Sequence, residues 1–134
     1  MSGSIRSDLN SLVGVYTFYS SVAHQGGGTL VVEGSHRLVM SFYDQMTSND
    51  LKQSRNVHKN RFLLSYPYFA ELSGKEKDRG DRIQRFMEET TVVDDVSLRV
   101  VELTGEPGDA IIYHPALLRG ASPNLSDMPR FVRG

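Results

Sequence analysis

The chain of 134 residues contains no cysteine, which excludes a disulfide framework, a thiolate metal site and a cysteine nucleophile. It has no excess of either charge, with 15 basic and 16 acidic residues, so nothing electrostatic indicates nucleic acid or an anionic membrane as a partner. It also lacks an apolar run long enough to span a bilayer. Residues 1–10 are polar, unlike the apolar segment of a secretory signal. We therefore expect a cytoplasmic protein.

Several common catalytic motifs are absent as well. The glycines Gly26–Gly28 are not followed by the Gly-Lys-Ser/Thr of a phosphate loop, and no Gly-x-Ser-x-Gly nucleophile motif occurs. No pair of histidines has the spacing of an independent metal site. What is present is the composition of a folded protein, 39% hydrophobic and 23% charged. The length predicts that residues 1–134 form a single domain.

The first third of the chain has strand and helix patterns. Leu12–Ala23 is rich in Val, Tyr, Phe and Thr and predicts a strand. The glycines 26–28 predict a turn, and Thr29–Glu33 predicts a second strand, so we expect an antiparallel hairpin. From Arg37 to Met46 the apolar residues recur at helical spacing.

The rest of the chain predicts an irregular centre followed by more strands. Residues 47–60 are polar and predict a loop, and Asp81–Glu89 predicts a short helix that buries Ile83, Phe86 and Met87. Further strands are predicted at Ser97–Thr104, Ala110–His114 and Arg130–Arg133. Strands at both ends predict a mainly β, α+β fold, a jelly roll with one or two helices in a central insertion.

Two segments carry a resemblance to a known family. Residues 27–37, GGTLVVEGSHR, and residues 105–133, GEPGDAIIYHPALLRGASPNLSDMPRFVR, resemble the phytanoyl-CoA dioxygenase family of the Fe(II)/2-oxoglutarate oxygenases. With the strand from Leu12, the resemblance covers about half the chain, and residues 46–97 form a variable insertion within it. It implies a double-stranded β-helix as the fold and Fe(II) and 2-oxoglutarate as the family's cofactors.

The resemblance also implies a metal triad, a His-x-Asp pair and a distal histidine, followed by an arginine that pairs with 2-oxoglutarate. The early pair falls on Arg6-Ser7-Asp8, where the aspartate is retained and arginine replaces histidine. The distal histidine position holds Arg119, and Arg130 matches the co-substrate arginine. A guanidinium stays protonated and offers only donors, so it cannot ligate iron. We therefore expect a homologue without a bound cofactor and without catalysis.

The substitutions can still preserve a positive pocket. Fe(II) with one aspartate carries about +1, and two arginines with Asp8 carry the same charge. This suggests a binder of a small organic acid, with Arg119, Arg130, Tyr113 and Asn124 as ligand-binding candidates. For Arg130 an alternative is a structural ion pair with an acid such as Asp8.

Two other functions stay open. In one, the chain is an active hydroxylase whose iron is held by Asp8 and by His114 as a substitute ligand, although a packed, hydrogen-bonded His114 is the simpler interpretation. In the other, the fold serves as an interaction module. A chain without the family's N-terminal elements should leave strand edges or apolar surface uncovered, which predicts a homodimer.

Overall fold

The computed structural model describes residues 12–74 and 82–121 and the backbone of residues 132 and 133. Within these residues lie strands and helices, with one π-helical turn at Gln84–Glu88. The strands are β1 (Gly14–Phe18), β2 (Thr29–Glu33), β3 (Thr91–Val93), β4 (Val96–Glu102), β5 (Ala110–Tyr113), β6 (Arg119–Ala121) and β7 (Val132–Arg133). The helices are α1 (Ser35–Asp44), α2 (Ser48–Leu51), α3 (Arg55–Ser65) and α4 (Pro67–Ser73).

The strands form two antiparallel sheets. One has the order β5-β1-β7 and the other the order β3-β4-β2-β6. The chain passes from one sheet to the other several times, so each sheet contains strands from both ends of the sequence. The predicted α+β class with antiparallel strands is confirmed. The described residues are compatible with a jelly roll, and the jelly-roll topology itself stays a prediction.

The predicted hairpin of the first two strands is wrong. β1 lies between β5 and β7, whereas β2 lies between β4 and β6, so the two strands belong to different sheets. The first strand is also shorter than the predicted Leu12–Ala23, and Val22 forms an isolated bridge with Gly105 instead. The glycine-rich turn is real, with Gly27 at φ 78°, but it carries the chain across to the second sheet. A turn sequence specifies the local backbone conformation, but it does not specify which strand the next strand will pair with.

The predicted loop at residues 47–60 is wrong as well, because α2 and most of α3 lie there. Thr47 and Asp50 form a reciprocal capping box at the start of α2. The Ser54 hydroxyl accepts a hydrogen bond from the Val57 amide at the start of α3. The insertion thus contains more helix than the one or two helices predicted, and none of the described helices is long and apolar enough to cross a membrane.

The larger hydrophobic core lies between the helices and the four-stranded sheet. On β4 the side chains of Val96, Leu98 and Val100 are buried in alternation, as a strand with one covered face requires. Leu38 and Phe42 of α1 pack against them at one-turn spacing. The cluster contains eleven buried residues, Val32, Leu38, Phe42, Met46, Tyr66, Tyr68, Phe69, Phe86, Val96, Leu98 and Val100.

The segment predicted as a short helix at Asp81–Glu89 is helical from residue 82 and ends in the π-helical turn. Of the three apolar residues predicted to be buried, Phe86 enters the larger core, while Ile83 is 42% exposed. Arg85 lies over the rings of Phe86 and Tyr68 and donates hydrogen bonds to Glu71. These contacts hold the turn against α4.

The three-stranded sheet has a much smaller core of its own. Tyr16 and Phe18 point inward from β1 and, with Val22, form a cluster of three buried residues. The two rings meet edge to face, with centroids 5.1 Å apart. This small cluster borders the cleft described next.

Candidate functional site

A cleft of about 250 Å³ lies where the two sheets face each other. Its lining comes from both sheets, because Tyr16 and Tyr113 belong to β1 and β5, whereas Thr29 and Arg119 belong to β2 and β6. Gly120 and Ala121 complete the lining with small residues. The cleft therefore combines one cation, two phenol rings and one hydroxyl in a space suited to a small molecule.

Two hydroxyl groups meet in the cleft. Tyr16 is 6% exposed, and the Thr29 Oγ1 donates a hydrogen bond of 3.0 Å to its hydroxyl oxygen. Two hydroxyls bring two hydrogens, and their mutual bond uses one of them. The pair therefore keeps one donor for a ligand in the cleft.

Arg119 lies over an aromatic ring at the side of the cleft. Its guanidinium carbon is 4.9 Å from the centroid of the Tyr113 ring, which is within range of a cation–π interaction. Tyr113 in turn covers Gly14, its register partner on β1. A Cβ on Gly14 would lie 2.2 Å from the ring, so only glycine permits this close approach. Gly14, Tyr113 and Arg119 thus form a stack that orients the guanidinium.

The charge of Arg119 is not neutralised by any carboxylate within the described residues. The ion pairs found there join His24 to Glu102, Arg61 to Asp50, Arg85 to Glu71 and Arg99 to Glu33. A guanidinium stacked on a ring keeps its five N–H donors at its edge. Arg119 is therefore disposed to bind an anion in the plane of its own fork.

The backbone on the N-terminal side of Arg119 is tied firmly to the rest of the fold. The Leu118 amide donates to the hydroxyl of Ser35 at 2.9 Å, and its carbonyl accepts from the Val32 amide at 2.9 Å. Ser35 is fully buried. It follows Gly34, whose φ of 85° and close approach to the Ser97 carbonyl both require glycine. The glycine and serine of the GSH turn therefore help to place the strand that carries Arg119.

His36 and His114 face each other beside this turn, with ring centroids 5.2 Å apart. The Ala116 amide donates to Nδ1 of His114 at 3.1 Å, which makes that nitrogen an acceptor. Nδ1 of His36 is buried and has no hydrogen-bond partner within the described residues. Burial, His114 and Arg37 all lower the pKa of His36 from its usual 6.5. The lowered pKa favours the neutral form of His36.

The structure brings together two of the residues predicted for ligand binding, Tyr113 and Arg119. His114 directly follows Tyr113, but it is not part of the cleft lining and packs on His36 instead. The other predicted positions lie outside the described residues: Arg6, Asp8, Asn124 and Arg130.

Sequence reasoning missed two residues of the cleft. An aromatic residue on a predicted strand, such as Tyr16, is more often part of the core than of a binding site, and Tyr16 is indeed buried. No motif or pattern in the sequence indicated that Thr29 belongs to a binding site. A period-two pattern identifies the inward face of a strand, but it does not say which inward residues border an open space.

The sequence of the chain also matches a protein-family model. The model of the family described as Phytanoyl-CoA dioxygenase (PhyH) matches residues 4–132, which is nearly the whole chain. The chain belongs to the phytanoyl-CoA dioxygenase family. The match also runs through residues 46–97, where no resemblance was found by inspection. Searches of curated proteins and of solved structures returned no significant match.

Phytanoyl-CoA dioxygenases generally depend on Fe(II) and 2-oxoglutarate, so the residues present must be tested against that metal. The resemblance predicts Arg119 at the position of the distal histidine ligand, and in the structure its guanidinium lies over Tyr113. Within residues 12–74 and 82–121, no group of three His, Cys, Asp or Glu side chains could hold a metal ion. The described residues therefore contain no candidate iron centre, and the predicted early ligand position, residues 6–8, lies outside them.

Proposed function

We propose that this member of the phytanoyl-CoA dioxygenase family binds a small organic acid in the cleft and does so without iron. The observation that carries the proposal is the guanidinium of Arg119, stacked 4.9 Å above Tyr113 at a cleft lined by three hydroxyl-bearing side chains. A carboxylate accepts from the guanidinium fork in a bidentate pair. A ring under the guanidinium limits its rotation, which favours one direction of approach.

The size and chemistry of the cleft support a small ligand. Its volume of about 250 Å³ is below the 300–1,000 Å³ usual for drug-sized molecules. The remaining hydroxyl hydrogen of the Tyr16 and Thr29 pair offers a second polar contact for a keto or hydroxyl oxygen. A short keto acid or hydroxy acid satisfies both groups. Arg130 and Asn124 stay predictions for further contacts.

The loss of iron is part of the proposal. Its support is chemical, because an arginine at the distal ligand position supplies a fixed positive charge and no lone pair. The Arg119 side chain thus provides a positive charge at the position where the family places its metal ion. We further propose that the protein is cytoplasmic, which its lack of cysteine supports; fractionation of cells expressing the full chain tests this.

Calorimetric titration with a panel of short mono- and dicarboxylic acids, including 2-oxoglutarate, tests the binding proposal. We expect saturable heat from at least one acid and at least a tenfold loss of affinity in Arg119→Ala, since a charge-assisted bond contributes about 1.5–3 kcal/mol. Arg119→Lys should restore little of the lost affinity, because the lysine ammonium group lacks the planar arrangement of N–H donors that a guanidinium offers.

The matched control is Arg99→Ala. Arg99 is also a strand arginine of the four-stranded sheet, but it is paired loosely with Glu33 at 3.7 Å and lies outside the cleft lining. This variant should bind the acid as the parent does. Equal losses in Arg119→Ala and Arg99→Ala would indicate a general charge effect and contradict the assignment of the cleft. Absence of heat from every acid would contradict it too.

A second candidate function, an active hydroxylase with a rearranged iron site, has one observation in its favour. His36 and His114 bring two imidazole rings within 5.2 Å of each other, and imidazole is a good ligand for Fe(II). Anaerobic titration with Fe(II) separates the two proposals. We expect no stoichiometric binding; tight binding that is lost in His114→Ala would support the hydroxylase and overturn the iron-free proposal.

A further inference from the structure

The β5 edge of the three-stranded sheet has no described partner. β5 pairs with β1 on one side, and no strand among the described residues pairs with its other side. The Phe18 amide donates to the Asp109 carbonyl at 3.0 Å. Since an antiparallel ladder alternates, Ile111 and Tyr113 then bond to β1, while the N–H and C=O groups of Ala110 and Ile112 point away from it. These outward groups are a template for another strand.

The same edge has an exposed apolar surface, which we call the outer strip. It consists of Val13, Val15 and Ile112, which are 69%, 46% and 71% exposed. Val15 and Ile112 lie directly opposite each other in the register of β1 and β5. By the alternation of side chains, Val13 lies on the same face as Val15. The outer strip contains no charged residue to oppose association.

One edge strand of the other sheet, β3, is protected by charge. β3 has an exposed valine, Val92, at 64%. However, β3 is joined to β4 by Asp94 and Asp95, both at positive φ in a tight turn, and it is preceded by Glu88 and Glu89. Acidic residues on both sides of a three-residue strand repel a second copy of the same strand. Neither strand carries a charge within it, but β5 has one directly adjacent acid, Asp109, whereas four acidic residues flank β3.

We infer that β5 and the outer strip form a homodimer interface in which the β5 strands of two copies pair antiparallel about a two-fold axis. Such pairing satisfies the outward groups of Ala110 and Ile112 and joins two three-stranded sheets into one of six strands. It also brings the two outer strips side by side. A second copy is favoured over another partner because an apolar strip with a free antiparallel edge is complementary to itself. The formal net charge of −1 adds little repulsion between copies.

Sedimentation equilibrium of the full chain and of two lysine variants tests the interface. We expect the parent to be a dimer at micromolar concentration, Ile112→Lys to be a monomer with unchanged far-UV circular dichroism, and the matched control Val92→Lys to remain a dimer. A monomeric parent would overturn the inference. So would a dimer that survives Ile112→Lys or dissociates in Val92→Lys.

The absence of cysteine allows a second, direct measurement. A single Ile112→Cys substitution in this background should form a disulfide-linked dimer under mild oxidation, and Val92→Cys should not. If the thiol introduced by Ile112→Cys stays uncrosslinked but reacts freely with a thiol reagent, the strip is open to solvent and the inference fails. If that thiol is neither crosslinked nor reactive, another segment of the same chain covers the strip, and the inference fails for that reason. Both readouts are independent of acid binding in the cleft.

Discussion

The two sheets of this protein are packed in very different ways. The four-stranded sheet is covered by helices and contributes to a core of eleven buried residues, whereas the three-stranded sheet has a cluster of three. Leu98 at the centre of the larger core is 0% exposed. On the smaller side, the inward residues border an open cleft and the outward ones form the outer strip.

This difference in packing implies that the residues that stabilise the fold and the residues that bind a ligand or partner lie in different parts of the molecule. Most apolar burial, which dominates the favourable free energy of folding, lies on the helical side of the molecule. The groups proposed for binding, Arg119 with Tyr113 and the edge of β5, lie outside the larger core. Changes at the cleft should therefore alter binding more than stability, and changes in the larger core should do the reverse.

The largest effect is expected from Leu98→Ala. Removing this fully buried side chain leaves a cavity in the larger core and should lower the free energy of unfolding by about 2–5 kcal/mol. The exposed Val92 on the neighbouring strand β3 is the control, and Val92→Ala should change stability by less than about 0.5 kcal/mol. Urea unfolding measures both. Similar losses in the two variants would show that the helices do not form the main core.

Gly34→Ala should have the next largest effect. An alanine at φ 85° costs about 1–2 kcal/mol from conformation alone. Its Cβ would also lie 2.5 Å from the Ser97 carbonyl oxygen. Gly108→Ala is the control, because φ is 91° there but nothing lies within 4 Å of the added Cβ. Thermal unfolding should show a clearly larger loss for Gly34→Ala. An equal loss would mean that the contact of this turn with β4 is not tight.

Gly14→Ala tests the comparison between the two sheets at the cleft, where binding and not stability should change. The new methyl group would displace the Tyr113 ring, and with it the guanidinium stacked above. We expect several-fold weaker acid binding in calorimetry and little change in the unfolding midpoint, since Ala is favoured over Gly in a strand by about 0.5–1 kcal/mol. Gly74→Ala, at the end of α4, should leave binding unchanged. Unaltered affinity in Gly14→Ala would show that the stack does not orient Arg119.

The smallest effect is expected from His36. Because its pKa is lowered from 6.5 in the folded protein, the unfolded chain binds a proton more readily between the lowered value and 6.5. Stability should therefore fall as the pH falls from above 6.5 through this range. His36→Asn should flatten this part of the profile of unfolding midpoint between about pH 7.5 and 5.5. A variant with the full slope of the parent would assign the dependence to other groups.

Periodic segments were predictable from the sequence. The helical spacing of the apolar residues in Arg37–Met46 predicted the helix that became α1, and the pattern of Ser97–Thr104 predicted the strand that became β4. The loop predicted at 47–60 overlooked a signal that was present, because Thr47 and Asp50 have the spacing of a capping box. The pairing of β1 with β5 and β7 was not predictable from local patterns. It depends on contacts between residues almost a hundred positions apart, such as Val15 and Ile112.

Only the part of the candidate site that lies in a segment resembling the family was predicted from the sequence. Tyr113 and Arg119 lie in the segment that carries the resemblance, and both line the cleft. Tyr16 and Thr29 lie on strands of different sheets, and the contact between their hydroxyls exists only once the sheets face each other. The spacing of Tyr16 and Thr29 along the sequence does not indicate that their hydroxyls are in contact.

The hydrogen bonds before Arg119 have an entropic consequence. The amide and carbonyl of Leu118 are both bonded, to Ser35 and Val32, so the backbone leading to the guanidinium is ordered when the chain folds. A ligand that binds Arg119 then restricts the rotamers of one side chain, which costs at most about 2 kcal/mol. A cation on a loose loop would add about 1–2 kcal/mol for each backbone residue that binding had to order. The buried serine hydroxyl thus makes a single arginine a more effective anchor than its exposed position on β6 suggests.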